Sequence, residues 1–100
     1  MSFNHLYALK GFSGVYRIGN APYEKGTYVL RIPNHGYVAV YVDGEESAVF
    51  DPKGGLHSSI REFLKMCSVR NPSFNTAKHS DSKLTDFVRF SLGYHIKKSL

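Results

Sequence analysis

Apolar and polar positions alternate with a period of two in the first half of the chain, which predicts β-strands. In the segment Thr27 to Ile32 (TYVLRI), Tyr28, Leu30 and Ile32 share one face. A shorter strand is predicted over Val15 to Ile18, in a segment bounded by glycines. The first half of the chain is therefore expected to form a sheet.

The segment Tyr37 to Val42 (YVAVYV) is apolar on both faces, which predicts a central strand covered on both sides. Asp43 and Gly44 form a strong hairpin-turn signal directly after it. The segment Ser47 to Phe50 (SAVF) is then expected to return antiparallel, and the following DPKGG sequence ends the sheet.

After Gly54 and Gly55, the spacing of the apolar residues changes from the period of a strand to the period of a helix. Ser59 and Glu62 stand in capping-box spacing, which predicts the start of a helix. Its buried stripe follows the i, i+3, i+4, i+7 pattern and consists of Ile60, Phe63, Leu64 and Cys67. A second helix is predicted from about Ser82 to Leu92, with Gly93 as its C-cap.

These elements predict an α+β fold in which residues 1–100 form a single domain. Its sheet is expected to be a small antiparallel meander of three to five strands, packed with two to three helices.

The composition restricts the cellular compartments in which the protein is expected. Cys67 is the single cysteine, so neither an intramolecular disulfide nor a cysteine-based zinc site can form. No apolar run is long enough to span a membrane. We therefore expect an intracellular or virion location in a reducing compartment, not a secreted protein, and no membrane partner.

A histidine and an aspartate mark the ends of the two strands that the hairpin joins. His35 precedes the central strand, and Asp51 follows the returning strand sixteen positions later. Antiparallel pairing brings these ends together, so the two side chains are expected to lie side by side. A carboxylate beside an imidazole orients the base of a cysteine or serine hydrolase, but an edge-of-sheet pair of this kind is also a common structural contact.

Three runs, GFSGVYRIGNAP, GTYVLRIPN and HGYVAVYVDGEESAVFDPKGG, resemble the His-to-Asp half of the adenovirus-type cysteine proteases, over about Leu9 to Leu64. The resemblance implies a cysteine-protease-like fold of viral or mobile-element origin. It matches His35 to the catalytic histidine of that family and Asp51 to its catalytic acid. It also implies DNA as a possible partner, because proteases of this family use DNA as a cofactor.

The chain departs from that family at the nucleophile. Gly36 stands where the family usually has tryptophan, and the chain has neither a Cys-Gly pair nor any glutamine for an oxyanion hole. The segment most similar to the nucleophile motif is SLGYH, and it has Leu92 at the position of the cysteine. Cys67 is expected to be a buried core residue near a helix C-terminus, where the helix dipole disfavours a thiolate.

The sequence therefore favours a catalytically degenerate protease-like domain with a structural or binding role. Its partners would be DNA without sequence preference, other viral structural proteins or further copies of itself. Two alternatives stay open. One is an active thiol protease that uses His35 and Asp51 with Cys67 or with a nucleophile from another chain. The other is a small scaffold protein whose resemblance to the family is accidental.

The net charge of +5 has an ordinary explanation in a basic soluble protein, and a sharper one in nucleic-acid binding. The candidate footprint is Arg61 and Lys65 on one helix face, with Lys97 and Lys98 in the tail. The remaining histidines show no metal-ligand spacing, so no metal and no cofactor are expected. Among them, His57 is expected to have no role in the site.

Overall fold

A computed structural model describes residues 3–44 and 46–93. The strands are β1 (Phe12–Arg17), β2 (Gly26–Ile32), β3 (Gly36–Val42), β4 (Ala48–Phe50) and β5 (Ser73–Phe74). The helices are α1 (Ser58–Met66) and α2 (Lys83–Ser91), and short 3-10 turns cover Asn4–Ala8 and Ile18–Asn20. The predicted α+β composition is confirmed. No helix within the described ranges is long and apolar enough to cross a membrane.

The five strands form one sheet in the order β1-β2-β3-β4-β5. The inner pairs, β2 with β3 and β3 with β4, are antiparallel as predicted. The two outer pairs are parallel, so the prediction of a purely antiparallel meander is wrong. The reason lies in how the strands are connected. Between β4 and β5, helix α1 carries the chain back to the end of the sheet where β4 begins, so β5 runs in the same direction as β4.

Each face of the sheet carries its own core. Tyr28, Leu30 and Val40 pack with α1 on one face. Val29 and Ala39 pack with α2 and the N-terminal turn on the other. The alternation of faces predicted for β2 and β3 is thus observed, and β3 is the central strand covered on both sides. This layering places the start of α1 at the edge of the sheet where β3 begins.

Three element boundaries differ from the sequence-based expectation. β1 begins at Phe12, because a register irregularity beside Gly14 lets the strand extend beyond that glycine. The N-cap of α1 is His57 and not Ser59, since the backbone N–H of Ser59 already belongs to the first turn and donates to the His57 side chain. α2 ends at Ser91 with Leu92 as its C-cap, one residue before the predicted C-cap Gly93, which follows with φ of +88°.

Candidate functional site

His35 and Asp51 lie in contact at the end of the sheet where the inner strand β3 begins and β4 ends. His35 occupies the tight turn between β2 and β3, where its N–H donates to the Ile32 carbonyl at 3.0 Å. Asp51 directly follows β4, whose antiparallel pairing with β3 brings the two ends together. The distance from His35 Nε2 to Asp51 Oδ2 is 2.6 Å. The proximity expected from the hairpin is therefore observed.

The Asp51 carboxylate is held in place by its neighbours. Its side chain is 2% exposed, and its Oδ1 accepts the backbone N–H of Lys53 at 2.9 Å. The Asn75 side chain clamps the Asp51 backbone, since Asn75 Oδ1 accepts the Asp51 N–H at 2.9 Å and Asn75 Nδ2 donates to the Asp51 carbonyl at 2.7 Å. The carboxylate can therefore orient His35 without moving itself.

The contact assigns the proton on the imidazole of His35. A carboxylate accepts, so Nε2 carries the hydrogen and Nδ1 keeps the lone pair in the neutral ring. The His35 side chain is 19% exposed, so the ring is accessible from solvent. Lys53 contacts the backbone of the same residue, because its ammonium donates a hydrogen bond to the His35 carbonyl. A ring held in this way can act chemically as a base through Nδ1.

His57 is a member of the site that the sequence interpretation missed. Its ring centroid lies 4.4 Å from that of His35, with an interplanar angle of 59°. Its Nδ1 accepts the Ser59 N–H at 3.0 Å and thereby caps α1. Its position directly before a helical period was the available signal, but Ser59 and Glu62 offered a more familiar cap.

Cys67 lies at the far end of α1 from this site. It is the C-cap residue, whereas His57 is the N-cap, ten positions away. Ten helical residues span about 15 Å, so the structure does not bring the thiol to the His35–Asp51 pair. Cys67 is half-buried against the α1-side core, and this burial raises the pKa of its thiol. Full burial was expected and is not reached.

Leu92 also lies away from the pair. It packs with the core on the α2 face of the sheet, whereas His35 contacts His57 at the start of α1. The position that the resemblance aligns with the family's cysteine is therefore a partly buried packing position here.

The basic candidates gather on the outer side of α1. Arg61 and Lys65 are exposed, and together with Arg70 they line a small surface pocket. Lys65 is partly offset by Glu62, whose carboxylate lies 3.8 Å from its ammonium. Arg70 was not among the predicted basic residues of this surface, because it lies beyond the end of α1 and helical spacing does not place it there. Lys97 and Lys98 lie outside the described residues.

Within residues 3–44 and 46–93, no three His, Cys, Asp or Glu side chains are grouped closely enough to hold a metal ion. Comparison of the chain with protein-family models, with curated proteins and with solved structures gave no match.

Proposed function

We propose that this protein is a cysteine-protease-like domain of viral or mobile-element origin that keeps the base of a catalytic site, lacks its nucleophile, and acts by binding. The observation that carries the proposal is the 2.6 Å contact between His35 and Asp51, with the chain's single thiol at the opposite end of α1. An oriented imidazole takes part in covalent acyl transfer only with a nucleophile within reach, and the thiol of Cys67 is not within reach.

The proposed ligand is a polyanion, and duplex DNA is the form that we propose on electrostatic grounds. The whole chain carries a net charge of +5, and Arg61, Lys65 and Arg70 border one surface pocket. Such a cluster attracts phosphate groups without reading bases. Binding to a viral structural protein or to a second copy is the competing mode, and it would not depend on salt in the same way.

We predict that the thiol of Cys67 reacts slowly and takes no part in peptide cleavage. Burial disfavours its thiolate, so labelling of the folded protein by a disulfide reagent at neutral pH should be at least about tenfold slower than in urea. The measurement is a stopped-flow labelling curve, run beside a fluorogenic peptide-cleavage assay. Wild type, Cys67→Ala and His35→Gln should give the same background cleavage rate.

Fast stoichiometric labelling together with cleavage that disappears in both variants would overturn this prediction and restore the protease interpretation. Cleavage that persists in both variants would point to a contaminating enzyme. Cys67→Ala and His35→Gln thus act as controls for each other, because a true thiol protease needs both groups.

The second candidate function is a hydrolase half that receives its nucleophile from another chain. The orientation of His35 favours it, because Nδ1 holds a lone pair while Nε2 is fixed by Asp51. A small thiol added in trans tests it. If His35 works as a base, the wild type should accelerate thiolysis of an activated ester, and His35→Gln should not. Equal rates in the two proteins would remove this candidate.

We predict weak, salt-dependent binding to duplex DNA. About three to five phosphate contacts would make the logarithm of the affinity fall with the logarithm of salt with a slope of about −2.7 to −4.5. The double variant Arg61→Glu/Lys65→Glu should reduce the magnitude of that slope by about 2, because it removes two phosphate contacts. The measurement is fluorescence anisotropy at several salt concentrations.

The matched control is Lys78→Glu/Lys83→Glu, which makes the same change in net charge at exposed lysines just before and at the start of α2. It should leave the slope close to that of the wild type. An equal loss in both variants would mean that net charge, and not the α1 surface, drives binding. No complex at low salt would reject the DNA proposal.

A further inference from the structure

We propose that His57 and His35 form an acid-responsive pair that releases the first turn of α1 when His57 takes up a proton. The inference goes beyond the proposed function and does not depend on it, because it rests on the contacts of His57 alone. Those contacts are the hydrogen bond from Ser59 and the ring contact with His35.

The first contact requires a neutral ring. His57 Nδ1 accepts the Ser59 N–H at 3.0 Å, so the ring proton of the neutral form is on Nε2. An imidazolium carries hydrogens on both nitrogens and has no lone pair to accept with. Protonation of His57 therefore converts the cap of α1 into two donors that face each other, and the cap is lost.

The second contact opposes the same proton. The ring of His35 lies 4.4 Å from that of His57, so protonation of both rings would place two positive charges in close contact. Asp51 is engaged with His35, and Lys53, which contacts the His35 carbonyl, adds a further positive charge on that side.

The third effect is the helix itself. His57 occupies the N-terminus of α1, where the aligned peptide dipoles present partial positive charge. The capped arrangement therefore needs an unprotonated His57 Nδ1, whereas the open arrangement does not. By linkage, the arrangement with fewer bound protons loses ground as pH falls, so acidification favours the open arrangement. The range to examine is about pH 5 to 7.5, in which histidine is the side chain that most commonly changes charge.

Opening at this point has a defined consequence for the site. The first turn of α1 follows His57 directly, so its release uncovers the ring of His35 while the Asp51 clamp by Asn75 stays in place. The same proton adds one positive charge to the ring that contacts His35. An acidic environment would thus give a more open and more cationic site.

The test is amide hydrogen exchange of the full chain by NMR, at pH 7.5 and pH 5.0, expressed as protection factors so that the intrinsic pH effect is removed. The Ser59 amide should lose about fivefold in protection at pH 5.0, the change that corresponds to loss of a typical N-cap. The amides of β3, such as that of Val40, should keep theirs. His57→Asn supplies a cap that cannot be protonated, so it should abolish the loss.

His5→Asn is the matched control, because His5 is exposed and makes no contact with α1 among the hydrogen bonds and ring contacts of the described residues. It should behave as the wild type does. Equal Ser59 protection at the two pH values, or the same loss in His57→Asn, would overturn the proposal. A uniform loss across β3 and α1 would also overturn it, because that is global unfolding.

Discussion

Replacement of Asp51 by alanine is expected to lower the free energy of unfolding by about 2 to 3 kcal/mol. The carboxylate is buried and satisfies two donors, His35 Nε2–H at 2.6 Å and the Lys53 N–H at 2.9 Å. Alanine leaves both donors without an acceptor at a place where the aspartate side chain was 2% exposed. The measurement is urea unfolding at pH 7, followed by far-ultraviolet circular dichroism.

Two variants sharpen this prediction. Asp86→Ala makes the same chemical change at a side chain that is 60% exposed and 3.8 Å from its lysine, so it should cost no more than about 0.5 kcal/mol. Asp51→Asn keeps an oxygen for Lys53 and should cost less than Asp51→Ala. If Asp51→Ala costs as little as Asp86→Ala, the pair contributes nothing to stability and a purely structural explanation of the contact fails.

Substitution of Gly54 by alanine is expected to cost about 3 kcal/mol or more. Gly54 has φ of +83°, and a Cβ there would lie 2.5 Å from the backbone oxygen of Thr76. That oxygen belongs to the segment that also carries Asn75, whose side chain clamps Asp51. The chain must therefore move at the base of the site. Urea unfolding measures the loss, and the His35 ring signals in NMR report the displacement.

Gly55 provides a control within the same loop. It has the same φ of +83°, but a Cβ there would meet nothing within 4 Å. Gly55→Ala should therefore cost only the strain of the left-handed backbone, about 1 to 2 kcal/mol. The difference between the two variants isolates the steric contact with Thr76. Equal losses would show that backbone strain alone explains both.

The Asp51 variants also bear on why the pair exists in a chain without a suitably placed thiol. A buried hydrogen bond contributes only modest net stability, yet removal of one partner leaves the other unsatisfied and is costly. A large loss in Asp51→Ala is thus compatible with either a structural tie or a retained base. The ester thiolysis assay with His35→Gln separates the two, because a structural tie predicts no change in that rate.

Much of the fold could be predicted from local pattern. The period of two in β2 and β3 assigned their faces, and the 3.6-residue period located both helices, because burial against a neighbouring layer imposes these periods on the sequence. The direction of the outer strands could not be predicted. Parallel or antiparallel pairing depends on where a connection returns the chain, and the strand pattern carries no record of that.

In the candidate site, too, the sequence predicted the local contact and not the contacts between distant segments. A separation of sixteen positions between His35 and Asp51, with a hairpin between them, sufficed to predict their contact, because hairpin register is a local property. The roles of Asn75 and His57 depend on the tertiary structure. Asn75 reaches Asp51 only because β5 pairs with β4, and His57 meets His35 only because α1 packs across the face of the sheet. Contacts between distant segments are set by packing of whole layers, which no short stretch of sequence encodes by itself.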